Sequence, residues 1–241
     1  MDRPLAADLL LLTLDEDKGT TLVDSSSLGP ALLGATLVGF VLDGTLGLTP
    51  EKGEIQDAPA QPYPVGPGRF YRTSAPPPED ALLARIAEDA AGKKPKDAIT
   101  SIGVYTFSDT TGKLRGHLTA WLVAEGLVQE SSQRVLGLFP RTVHPARDPR
   151  TRRALLGELR AVYQGSDPAT PRTAALAAVV GAIDAAPRLF PDLDKRALKG
   201  RAKQLRETQW AGRAVAKTLE EITTVIIAAA VVPTIVVTSG S

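Results

Sequence analysis

The chain has 241 residues, a formal net charge of +1, two histidines and no cysteine. The missing thiols exclude disulfides, thiolate nucleophiles, zinc ribbons and iron–sulfur clusters, and they suit a cytoplasmic protein. A chain of this length buries about 70–75% of its unfolded surface, enough for one core without covalent staples. Its richness in Ala, Leu, Arg and Gly matches what a GC-rich bacterial genome encodes.

Residues 5–14 (LAADLLLLTL) read as a short helix that ends at the acidic turn Asp15-Glu16-Asp17-Lys18-Gly19. Acidic flanks and the lack of a basic leader argue against a signal peptide. Residues 20–23 have the character of a brief strand. Residues 28–42, LGPALLGATLVGFVL, then carry no charge and one hydroxyl. Ser25, Ser26 and Ser27 stand before them as caps, Pro30 suits a first helical turn, and Asp43-Gly44 is a stop. Such a helix is about 22 Å long and apolar all round, so it belongs in a core. It is short for a membrane span, which needs about 20 residues. The reading is a central post with other helices packed around it.

Residues 45–78 are rich in Pro and Gly and predict a loop with at most short strands. Pro77-Pro78-Glu79-Asp80 opens a helix with Leu82, Leu83, Ile86 and Ala90 at helical spacing, ended by Gly92. Residues 96–104 suit a second short helix. Asp109-Thr110 caps a third, running to Ala124 with a core stripe of Leu114, Leu118, Trp121 and Leu122, and Gly126 ends it. Residues 127–129 and 135–139 look like strands of a hairpin whose polar tip is Ser131-Ser132-Gln133. Asp148-Pro149 is an N-cap followed by an N1 proline. Its helix turns Leu155, Leu156, Leu159 and Tyr163 inward. Further helices follow over 173–185, over 192–207, and from Trp210 into an apolar run that Pro233 interrupts. The run over 222–237 has sixteen residues, fewer than a span requires, and reads as core helix plus tail. The expected fold class is mainly α: a single globular helical domain over residues 1–241, built around a buried apolar helix, with a projecting β-hairpin.

Motifs for chemistry are absent. There is no HExxH, GxSxG, P-loop or GxGxxG, and no histidine pair at ligand spacing, so we expect no catalytic residue, no metal site and no cofactor. Charge is more informative. Residues 1–60 hold ten acids against three cations, and residues 112–160 hold nine cations against four acids. A basic segment suggests an anionic partner, membrane or nucleic acid. Arg150, Arg152 and Arg153 crowd the first turn of a helix, where cations are disfavoured by about 0.3–1 kcal/mol each unless an anion is bound. Lys113 and Arg115 lie in the same basic segment. The order helix, helix, helix, hairpin over 79–139 also fits a winged-helix module, but its third helix offers few base-reading side chains, so nucleic acid is the least favoured partner.

Several stretches resemble the Golgi phosphoprotein 3 family: LAADLLLLTLDEDKGT from Leu5, the apolar helix followed by Asp43-Gly44-Thr45-Leu46, LTAWLVAEGLVQE from Leu118, and LGLFPRTVHP from Leu136. The resemblance spans most of the chain and implies a mostly helical domain around a buried helix. It further implies a non-enzymatic peripheral membrane protein of the cytoplasmic face that binds phosphatidylinositol 4-phosphate. Recognition of short protein tails and oligomerisation through the hairpin are implied as well. The family's head-group pocket has one tryptophan and three arginines. In an ungapped alignment the tryptophan falls at Asp24, and the arginines fall at Leu33, Gly112 and Arg115, so one arginine is kept. The head-group or anion-binding residues expected here are therefore Arg115, Lys113, Arg150, Arg152 and Arg153. A cytosolic protein–protein adaptor that has lost the lipid pocket is the alternative.

Overall fold

A computed structural model of the chain describes residues 3–50, 61–62, 65–103, 109–135, 139–166, 170–207 and 213–231. Among them are ten helices, 62% of the described residues, and two small antiparallel strand pairs, so the fold is mainly α with β-hairpins.

The architecture follows from two helices that have no polar face. α1 (Leu5–Thr13) is buried at all nine positions. α2 (Ser25–Leu42) is buried at every residue from Ala31 to Val38, more than two full turns, so all its faces meet protein. By length and hydropathy alone α2 could cross a membrane. It sits instead in the core, packed on α1, α4, α5, α7 and α10. The helix starts three residues earlier than the expected Leu28, which places the serines inside it and Pro30 in its second turn. That position removes the bond to the Ser26 carbonyl. Ser26 is exposed, so water can satisfy that carbonyl.

Amphipathic helices surround this pair. α3 (Ala81–Ala90) is capped by the Asp80 carboxylate, which accepts from the Leu82 and Leu83 amides. α4 (Pro95–Gly103) and α5 (Thr110–Ala124) follow, the second capped by Asp109, which accepts from the Gly112 amide. α6 (Pro149–Tyr163) is capped by Asp148, and α7 (Pro171–Ala182) by Thr170. A four-residue helix α8 (Ala186–Leu189) precedes α9 (Lys195–Glu207) and α10 (Arg213–Val231). α9 begins three residues later than the pattern predicts, because Asp194 acts as a cap and accepts from the Ala197 amide. α10 lies along α2, with Ile222 and Ile226 fully buried and a β-carbon at Gly34 only 2.6 Å from the Ile222 Cγ2 methyl. Residues 232–237 of the expected tail lie outside the described residues.

The core also contains a charge. Asp8 on α1 is completely buried and accepts from the Arg3 Nε and from Arg172 at the start of α7. Arg172 donates as well to the Arg3 carbonyl, 2.6 Å away. A buried carboxylate is tolerated only when paired and hydrogen-bonded, so this cluster ties the N-terminus to α7.

Both strand pairs are short. β1 (Leu46–Leu48) pairs with β2 (Phe70–Arg72), and β3 (Ser131–Val135) pairs with β4 (Phe139–Val143). Residues 20–23 form a single bridge, Leu14 to Thr21, rather than a strand.

Candidate anion-binding site

The β3–β4 hairpin is shifted from its expected register. Ser131 and Ser132 pair with Val143 and Thr142 inside the ladder, and the strands are joined through residues 136–138. The cause lies at the base. Val128 bridges Ala146, the Gln129 amide donates to the Pro145 carbonyl at 3.0 Å, and Val128 and Val143 are each buried to 1% exposure. Val128 and Val143 lie on opposite faces of this ladder, and the burial of both anchors the base of the hairpin. The ladder therefore keeps one register from Val128–Ala146 to Val135–Phe139.

The base is bound in turn to the acidic turn after α1. The His144 amide donates to the Gly19 carbonyl at 3.0 Å, and the Ala146 amide donates to the Glu16 carbonyl at 2.9 Å. Gly19 has φ +63°, and a β-carbon there would lie 2.2 Å from the Pro145 nitrogen. Only glycine fits both demands. Asp15 holds the turn by accepting from the Asp17 and Lys18 amides.

α5 completes the site. Leu114, Leu118 and Leu122 anchor it in the core against α1 and α2. Its opposite side presents Gly112, Arg115, Gly116, Thr119, Ala120 and Val123, mostly small residues. These face β4 and the 19–21 segment across a cavity of about 670 Å³, a size that suits small ligands. Glu130, Arg141, Thr142 and His144 form the hairpin wall. Among the described residues Lys113, Arg115 and Arg141 make no ion pair. Burial pushes the His144 imidazole below its ordinary range, and the Arg115 charge adds to that, while Glu130 works in the opposite direction.

The five residues singled out from the sequence separate into two groups. Arg115 lines the cavity, whereas Lys113, two residues away on α5, is exposed and is not part of the lining. The α6 arginines are engaged elsewhere. Arg150 forms a forked pair with Asp148 and holds that carboxyl down to about 2. Arg153 reaches the Glu16 carboxylate at 2.6 Å. Arg152 is buried: it donates to the Leu12 carbonyl and lies 3.6 Å from Glu16, and its Nε has no partner among the described residues. Carboxylates thus already occupy the cation-crowded helix start.

Sequence reasoning missed Arg141, His144 and Glu130 as neighbours of Arg115. It also missed Glu16 as the counter-ion of α6. The apolar residues Val128 and Val143, either side of the polar stretch, were the available signal for the first three. Nothing local marks Glu16, which is 137 residues from Arg153.

No curated protein matches the chain in sequence. The family model described as Golgi phosphoprotein 3 (GPP34) matches residues 5–222, nearly the whole chain. The chain belongs to the Golgi phosphoprotein 3 family. Of the four positions aligned above with this family's head-group pocket, Gly112 and Arg115 line the cavity. Asp24 is exposed at the start of α2. Leu33 is fully buried and its methyl packs near Gly103, so that position does not face a ligand.

Proposed function

We propose that this Golgi phosphoprotein 3 family member is a non-enzymatic peripheral membrane protein of the cytoplasmic face, which takes an anionic lipid head group into the cavity between α5 and the β3–β4 hairpin. The observation that carries the reading is Arg115, a cation without an acidic partner among the described residues, in the wall of a cavity of about 670 Å³. Arg141 is a further cation of the cavity wall, and Lys113 is an exposed cation on α5 outside the lining. Arg150, Arg152 and Arg153, neutralised in part by Asp148 and Glu16, act as a weaker flank.

The reading favours anionic surfaces in general over one phosphoinositide, because Asp24, Leu33 and Gly112 replace three of the family's four pocket residues. Each basic residue near an anionic bilayer contributes about 1 kcal/mol, screened beyond a Debye length of about 8 Å at physiological salt. Three such cations give on the order of a hundredfold preference for anionic over neutral vesicles at low salt. The test is co-sedimentation with phosphatidylcholine vesicles, with and without phosphatidylglycerol, at low and physiological salt. Arg115→Ser should weaken anionic-vesicle binding by about fivefold. Equal binding to both vesicle types, or none to either, would leave the protein–protein adaptor as the better account.

A further inference from the structure

The hairpin register puts an acid and an imidazole on the cavity wall as direct cross-strand neighbours. Glu130 and His144 follow the Ser131–Val143 pair in the same ladder, whose next rung is the Gln129 to Pro145 bond. Residues opposite one another in an antiparallel pair share a face. Both side chains line the cavity that holds Arg115 and Arg141. The His144 backbone is held in this register, bound to Gly19 and closely packed against it.

We propose that the cavity takes up a proton on His144 when it takes up an anion, so that the imidazolium becomes a third cationic wall group and binding tightens as pH falls. The inference rests on the anion-binding reading above. With the cavity empty, a charged imidazole would be partly desolvated and would stand near the Arg115 guanidinium. Both effects disfavour the proton, and Glu130 only partly offsets them. An anion between Arg115 and His144 reverses the local field and favours protonation. By reciprocity, protonation raises the affinity for the anion by the same factor. Glu130 has the opposite role toward the ligand. Its carboxylate repels an anion while His144 is neutral, and is screened once His144 carries the proton.

The other charged groups near His144 are accounted for. Arg115 acts on it from α5, and Arg141, three residues along the same strand, also lines the cavity. The turn bound to its backbone carries Asp15, Glu16, Asp17 and Lys18. Of these, Asp15 accepts from its own turn's amides, and Glu16 is held by Arg152 and Arg153. His117, the second histidine, lies on α5 3.5 Å from Asp80 and does not line the cavity.

The experiment uses two probes whose charge is constant across the range: inorganic sulfate as a free anion, and phosphatidylcholine–phosphatidylglycerol vesicles as a lipid surface. Affinity is measured between about pH 5.5 and pH 8, on either side of an ordinary histidine. One added charge at roughly 6 Å, in a medium between protein surface and bulk water, predicts binding about tenfold tighter at the acid end. His144→Gln should lose this pH dependence. Glu130→Gln should bind more tightly at the alkaline end and move the pH step to lower values. The imidazole proton resonances of the wild type give an independent reading that needs no variant. Sulfate should move the His144 titration upward. If a probe binds with pH-independent affinity, or His144 titrates identically with and without sulfate, the proton linkage is overturned and the anion site stands. If neither probe binds at any pH, both fall together.

Discussion

Gly34, halfway along α2, offers the sharpest test of the central packing. A β-carbon there would lie 2.6 Å from the Ile222 Cγ2 and 3.1 Å from the Ile226 Cδ1 on α10. Both isoleucines are fully buried, and Cγ2 sits on a branched carbon with little freedom to move. Overpacking of this kind costs about 1–3 kcal/mol. Replacing a helical glycine by alanine returns roughly 0.5–1 kcal/mol of backbone entropy. Gly34→Ala should therefore destabilise by about 1–2 kcal/mol and lower the melting temperature by roughly 2–8 °C. Gly39 on the same helix supplies the control. Its added β-carbon would meet only the Leu5 Cβ at 3.7 Å, an ordinary contact. Gly39→Ala should be neutral or stabilising by up to about 1 kcal/mol. Urea unfolding followed by far-ultraviolet circular dichroism measures both. Equal stability changes for the two variants would refute the close α2–α10 crossing.

Other parts of the structure give further tests. Asp8→Asn keeps the shape of the buried group but removes the charge that Arg3 and Arg172 meet, and should cost about 3 kcal/mol in the same urea assay. Gly19→Ala forces a side chain into a left-handed backbone conformation against Pro145, and should cost at least about 2 kcal/mol and weaken amide protection at His144 and Ala146. Asp148 has its carboxyl held down to about 2 by Arg150, so its contribution to stability is present above the ordinary carboxylate range of about 3.9 and is lost as pH falls through about 2. Proton titration of Asp148 by nuclear magnetic resonance should show this low midpoint, and Arg150→Gln should move it up.

The helical framework was legible because its signals are local. Asp109 and Asp148 each precede a helix and each accept a bond from its first turn. Gly126 adopts φ +69° just past α5, as a stop should. The charge-free run of α2 announced burial on every face. What escaped the sequence depends on contacts between distant segments. Ser131-Ser132-Gln133 has the polarity of a turn, but Val128 and Val143 outweigh it by burying themselves at the base of the hairpin. Counting charge within residues 112–160 made α6 look strongly basic, because Glu16, its counter-ion, lies in another segment. Arg115 was legible through family resemblance. Its neighbours Arg141, Glu130 and His144 follow only from the register.

The most direct test of the anion-binding account compares two double variants on phosphatidylcholine–phosphatidylglycerol vesicles at low salt. Arg115→Ser with Arg141→Ser removes two cations from the cavity wall. Arg150→Ser with Arg153→Ser removes the same formal charge from the start of α6, where Asp148 and Glu16 already pair with it. At about 1 kcal/mol for each unpaired cation, the account predicts that the cavity pair loses on the order of twentyfold in vesicle affinity and the α6 pair much less. Equal losses in the two variants would mean that net charge alone drives association. A larger loss from the α6 pair would contradict the cavity as the site.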